Sequence, residues 1–154
     1  MIALESKRKG IKRHEALHPL SHHHMKALHM ALKLSRAGTE KSRITIPEIS
    51  HELDTFWNDD GKQHFREEEE ILLPAFAQYA SIDLPEIKEM LMEHVKVRAL
   101  INMLLQPDEA NISIMHELGE LLELHVRKEE RIIFPMIEQA LPEEKLQELA
   151  PYLH

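Results

Sequence analysis

The stretch His64-Phe-Arg-Glu-Glu-Glu-Glu-Ile-Leu-Leu-Pro74 aligns without a gap on His125-Val-Arg-Lys-Glu-Glu-Arg-Ile-Ile-Phe-Pro135. Six of the eleven positions are identical, and three more exchange one apolar residue for another. Each copy holds a histidine with a glutamate four residues on, His64/Glu68 and His125/Glu129. The bare spacing is close to chance in a glutamate-rich chain with twelve histidines, and a third pair, His116/Glu120, shares it. The eleven-residue match separates the first two pairs from the third.

Helical phase sharpens the distinction. At ~100° per residue, His64 shares its side with Leu53, Trp57, Glu68, Ile71 and Ala75. His125 shares its side with Leu118, Leu121, Glu129, Ile132 and Met136. Both pairs are therefore centred on an apolar, core-facing stripe. His116 is half a turn out of phase with His125 and reads as one half of a surface pair with Glu120. Two carboxylates on apolar faces are costly unless paired or metal-bound. A dication between them meets that cost, and neutral imidazole completes the donor set.

Outward from the repeat, apolar residues recur every three or four positions, the period of half-buried helices. The first helix is expected from Pro19 to Ala37, stopped by Gly38. The second should run from Pro47 to about Tyr79, kinked or shortened by Pro74. The third spans Pro85 to Leu105. A turn at Gln106-Pro107-Asp108 leads to the fourth, from Glu109 to Ala140, and a short last helix ends near Leu149. Long amphipathic helices with short connections give an all-α, antiparallel up-down four-helix bundle with a short extra C-terminal helix.

On the third helix His94 is the histidine centred on the apolar stripe of Ile87, Met90, Leu91, Val97, Ile101 and Leu105. The first helix offers His18, His22, His23, His24 and His29. His24 shares its side with Leu20, Ala27, Leu28 and Ala31, whereas His22 lies on a polar face. His24 is chosen. His22 stays open as the alternative, because Met25-Lys-Ala-Leu28 after it is similar to Val97-Arg-Ala-Leu100 after His94. Counted from the connecting loops, His24, His64, Glu68, His94, His125 and Glu129 fall within about 7 Å of one height, a layer that could hold two metals ~3.5–4 Å apart.

Composition narrows the classes. The chain has 154 residues, room for one domain with a real core. It has no cysteine, which removes disulfides and thiolate ligands. A formal charge of -8 argues against nucleic acid. The basic run Lys7, Arg8, Lys9, Lys12 and Arg13 reads as a solvated N-terminal tail over residues 1–13, ahead of a single domain over 14–154. No stretch approaches the ~20 apolar residues of a membrane span, and the start does not read as a signal peptide. A soluble cytoplasmic protein is expected. Ser21 reads as a cap or turn residue, and Glu67 to Glu70 as a mostly solvated face in which Glu67 and Glu69 could support the ligands. Met90, Met92, Met103 and Met115 read as core filler.

Taken together, Leu17-His-Pro-Leu-Ser-His-His-His24, His64-x-x-x-Glu68, His94 and His125-x-x-x-Glu129 resemble the bacterial hemerythrin-like, or HHE cation-binding, domain family. The resemblance spans about residues 14 to 140. It implies a non-haem di-iron centre with an oxo or hydroxo bridge. In that centre His24, His64, His94 and His125 are terminal ligands, and Glu68 and Glu129 are the bridges. Oxygen-carrying members place a second histidine one turn along the third helix. Here the positions four residues either side of His94 are Met90 and Arg98, which implies one iron with an open position. The site differs from ferritin-like di-iron proteins, whose motif is Glu-x-x-His. The expected function is to bind or sense oxygen, nitric oxide or iron, with a small diatomic ligand or peroxide as partner. The alternatives are a redox enzyme acting on peroxide or ferrous iron, and a structural zinc or manganese bundle or metal-free helical interaction domain.

Overall fold

Each helix boundary has a local cause. In the computed structural model, which describes residues 12–106 and 111–154, a 3-10 turn at Glu15–Leu17 leads into α1, His18–Arg36, with Pro19 in its first turn. Gly38 follows with a φ of +72°, the left-handed conformation that ends helices at low cost. Helix α2 begins with a capping box: Thr45 accepts from the Glu48 N–H while Glu48 accepts from the Thr45 N–H. It continues through consecutive segments, Ile46–Phe56, Trp57–Gly61, Lys62–Glu67, Glu68–Leu72 and Leu73–Ala77. The second and fourth are π-helical turns. Helix α3 is Pro85–Leu104. Helix α4 comprises Ile112–Lys128, a π turn at Glu129–Ile133, and Phe134–Ala140, with the Asn111 side chain capping its start. A short α5, Glu143–Leu149, and a 3-10 turn at Ala150–Tyr152 close the chain. The expected third turn at Gln106-Pro107-Asp108 and the start of the fourth helix at Glu109 lie largely outside the described residues.

Cross-helix pairs fix the topology. Lys33 meets Glu52 and Lys26 meets Asp60, so α1 and α2 are antiparallel. Glu69 meets both His94 and Arg98, while Phe65 lies under Arg98, so α2 and α3 are antiparallel. Glu93 meets His125 and Glu89 meets Lys128 between α3 and α4. Gly119 lies beside Ser35, and Glu129 beside His24, between α4 and α1. The result is the up-down-up-down bundle, all helical and without a strand among the described residues. The two repeat copies sit on diagonal helices that run the same way.

The interior holds two apolar clusters. One gathers Leu34, Leu53, Trp57, Phe65, Ile101 and Met115 with their neighbours. The other gathers Leu20, Phe76, Met90, Phe134 and Ile137, and is covered by Leu146, Leu149 and Leu153 from the C-terminal segment. The buried charged residues His24, His64, Glu68, His94, His125 and Glu129 belong to neither cluster.

Several sequence expectations change. Pro74, expected to kink or shorten α2, is carried within it, and the helix runs to Ala77 rather than to about Tyr79. A proline ring clashes with the carbonyl four residues back in an α-helix. The wider turn before it, in which the Leu73 N–H reaches the Glu68 carbonyl, relieves that clash. The same turn adds a residue to the winding, so helical phase slips by one position beyond Glu68 and Glu129. Ile132, assigned to the core by a constant ~100° step, is 46% exposed, and Ile133 is fully buried in its place. Likewise Ile137 replaces Met136 and Leu72 replaces Ile71 as the fully buried residue, though Ala75 stays buried. Met90 and Met115 are core residues, but Met92 and Met103 are exposed. Lys7, Arg8 and Lys9 lie outside the described residues. Arg13 is not a solvated tail residue: it pairs with Glu138 and Glu130 and lies 5.3 Å from the Phe134 ring centre.

Helices α1 and α4 approach closely at Gly119, where a Cβ would fall 2.8 Å from the Ala31 carbonyl oxygen and 2.9 Å from the Ser35 nitrogen. Gly119→Val should therefore force the pair apart and lower stability by about 1–3 kcal/mol. Thermal melting reads this directly, and an unchanged midpoint would contradict the packing.

Candidate metal centre

The polar layer is built from one histidine on each of four helices and one glutamate from each repeat. All six of these side chains are buried. Each imidazole turns its Nε2 towards the two carboxylates. His24 Nε2 is 2.8 Å from Glu129 Oε1, and His125 Nε2 is 3.0 Å from Glu129 Oε2. His64 Nε2 is 2.9 Å from Glu68 Oε2, and His94 Nε2 is 3.1 Å from Glu68 Oε1 and 3.3 Å from Glu129 Oε2.

These donors form two sets of four. His24, His64, Glu68 and Glu129 each offer an atom within 4.8 Å of the others, and Glu68, His94, His125 and Glu129 do the same. The sets share both carboxylates. Exchanging His24 with His94, His64 with His125 and Glu68 with Glu129 turns one set into the other, an approximate two-fold along the bundle. His22 is exposed and contributes nothing to this layer. His116 donates to or accepts from no carboxylate among the described contacts; its Nε2 lies 2.8 Å from the Ala37 carbonyl, at the end of α1.

The family model of the hemerythrin HHE cation-binding domain matches residues 15–137. The chain belongs to that family. No curated protein and no solved structure gives a significant match. A hemerythrin HHE domain binds metal cations, and the donor chemistry here fits that role. His64 Nε2, His125 Nε2 and both Glu68 oxygens are buried and lack a well-formed hydrogen bond. Orphaned polar atoms of this kind are rare in native interiors, and here they converge on one point.

A second tier of contacts orients this HHE centre. His24 Nδ1 is 2.6 Å from Glu130 Oε2, His94 Nδ1 is 2.6 Å from Glu69 Oε2, and His125 Nδ1 is 2.8 Å from Glu93 Oε1. Such carboxylates fix the tautomer that points Nε2 at a metal and make the imidazole a better donor. Each carboxylate is in turn held by a cation: Glu130 by Arg13, Glu69 by Arg98, Glu93 by Lys128. Ser21, read as a cap, donates to Glu130 instead. His64 differs, because its Nδ1 faces His23 Nδ1 at 3.3 Å.

The acidic run is correspondingly less solvated than expected. Glu69 supports His94, and Glu67 is 1% exposed, bound by Gln63 and the His154 N–H. Glu130 and Glu93 escaped the sequence reading. A signal for Glu130 was present, since it aligns with Glu69 in the repeat: in both copies His-x-x-x-Glu-Glu sends the first glutamate inward and the second to a histidine of a neighbouring helix. Glu93 falls outside the repeat and carries no such mark.

Beside His24, His64 and His125 lies a small cavity of about 20 Å³. Ala27, Trp57, Phe65, Val97, Leu122 and Val126 give it apolar walls, and His23 and Asp60 line its outer part. A volume of that order holds about one water-sized molecule.

The protonation balance follows from the geometry. Burial disfavours imidazolium at His24, but hydrogen bonds to Glu129 and Glu130 outweigh it and lift the group to about 9. The same contest lifts His125 to about 9, through Glu129 and Glu93, and His94 to about 11, through Glu129, Glu68 and Glu69. His64 is raised as well, against burial, chiefly by Glu68. Glu130, though partly desolvated, falls to about 2 through His24, Ser21 and Arg13. In the metal-free protein the folded imidazoles thus hold protons that the unfolded chain releases near pH 6.5. Their stabilisation is complete below that pH and is lost as pH rises through about 9 and on to about 11. The denaturant midpoint of metal-free protein should fall between neutral and strongly alkaline pH, and a flat or rising midpoint would contradict these pairings.

Proposed function

We propose that the chain is a non-haem di-iron binding protein whose centre binds or senses a small diatomic ligand, oxygen or nitric oxide, or iron itself. The observation that carries this reading is the pair of overlapping donor sets, each with two imidazoles and the same two carboxylates. His24 and His64 would hold one ion, His94 and His125 the other, with Glu68 and Glu129 shared. Imidazole with carboxylate suits iron, and four protein donors per ion leave room for exogenous ligands at both ions rather than at one. When bound, such an iron pair supplies redox-active coordination positions for a diatomic molecule. The apolar cavity next to three of the histidines matches a ligand of that size and excludes bulkier ones. Its walls contribute no charged group of their own beside the imidazoles, apart from Asp60 at the outer part.

Metal analysis of aerobically purified protein tests the reading. About two irons per chain are expected, as in two-metal sites, with an oxo-bridge absorption band that changes on exposure to oxygen or nitric oxide. One zinc, or no metal, would refute it, and catalytic turnover of peroxide would replace sensing with enzymology. Glu68→Ala and Glu129→Ala should each lower iron occupancy, while His116→Ala should not; equal loss in all three would contradict the assignment. Metal uptake must also displace imidazole protons, so apparent affinity should weaken as pH falls.

A further inference from the structure

The approximate two-fold that relates the donor sets does not extend to every residue that supports them. It carries His94 onto His24, and so carries Glu93, the residue before His94, onto His23. Both residues do the corresponding job. Glu93 Oε1 meets His125 Nδ1 at 2.8 Å, and His23 Nδ1 meets His64 Nδ1 at 3.3 Å. The next position breaks in the opposite sense. Glu93 is held by Lys128, whose counterpart in the repeat is Glu67. One half backs its imidazole with an anion held by a lysine; the other backs it with an imidazole beside a glutamate.

The difference has a chemical consequence. A carboxylate behind a metal-bound imidazole accepts its Nδ1 proton, adds negative charge near the cation and locks the ring. A neutral imidazole also accepts that proton, so His64 keeps its Nε2 lone pair inward, but it adds no charge. The His94/His125 set has a carboxylate behind both rings, Glu69 and Glu93. The His24/His64 set has one, Glu130. The less supported set gives both of its imidazoles to the cavity wall, against His125 alone from the other set; His23 lines the cavity too and is only half buried.

We infer that the two cation positions are unequal by construction, and that His23 makes the His24/His64 position the weaker and more exchangeable one. This rests on the two-cation reading above. His23 acts through His64 and is a positioning residue.

Titration of the metal-free full chain with Zn²⁺ by calorimetry, and with Co²⁺ by visible absorption, tests it. Two steps are expected in the wild type, but mutual repulsion of two cations would give two steps even in a symmetric site, so the variants decide. Glu93→Gln should weaken the tighter step about tenfold and leave the weaker one unchanged. His23→Leu, which removes the acceptor, should weaken only the weaker step by a similar factor. The double variant His23→Glu/Glu67→Lys copies the other half and should bring the two steps together. Helical circular dichroism and melting confirm that each variant folds, and the exposed edge of His23 makes His23→Leu the safest of them. If the wild type takes up fewer than two cations, the two-cation reading itself fails. If it takes up two and His23→Leu moves neither step, or both equally, the inference about His23 is overturned and the two-cation reading stands.

Discussion

Two carboxylates with no exposure to water, Glu68 and Glu129, set the terms for everything around them. An uncompensated charge in a dry interior costs several kcal/mol, and the chain answers it in tiers. Four imidazoles converge on the pair. Three of them are backed by further glutamates, and those are tied to Arg13, Arg98 and Lys128. Both guanidiniums also lie over phenylalanine rings, Phe134 and Phe65, which stack on His24 and His94. The polar layer is thus insulated by aromatic faces and wired to the surface by alternating charge. The two apolar clusters supply the rigidity that holds six donors within reach of one another.

Helix geometry converts this charge arrangement into a site. Both repeat glutamates open a π turn, and both repeats close on a proline two residues after that turn. Turns of this kind recur at functional sites because they re-aim the residues beyond them. A third π turn, Trp57–Gly61, has no partner in α4. Three of its residues, Trp57, Asp60 and Gly61, line the cavity. The unpaired turn and the cavity lie on the same side of the centre, the side where His23 replaces a carboxylate. Local winding, open space and weaker charge support coincide there.

Much of this was legible in the sequence. The gapless repeat and the apolar phase of His64, His94 and His125 pointed to the layer, and the same phase argument separated the buried His24 from the exposed His22. Helix ends at Gly38 and Pro85 followed from local chemistry. What was not legible has a physical reason. A helical wheel assumes constant winding, so it put Ile132 and Met136 inside where the structure buries Ile133 and Ile137. Residues such as Glu93 and His23 look like ordinary neighbours of the buried histidines, because their contacts depend on which helix lies across from them. Arg13 looked like part of a charged tail, since its acidic partners lie more than a hundred positions away in the chain.

The matched π turns also constrain how this bundle can change length over evolution. Each adds one residue to its helix in the same layer, and both diagonal helices run the same way. The sequence is matched to that winding, since the buried positions beyond Glu68 and Glu129 are shifted by one residue in both copies, to Leu72 and to Ile133. A single-residue deletion in one of these turns would rotate one lower segment by about 100° and expose residues such as Ile133 or Leu72 while its diagonal mate stayed in place. A deletion in the second copy would misplace a second segment rather than restore the first, because α1 and α3 keep their orientation, so the core each turn faces fixes that turn's length.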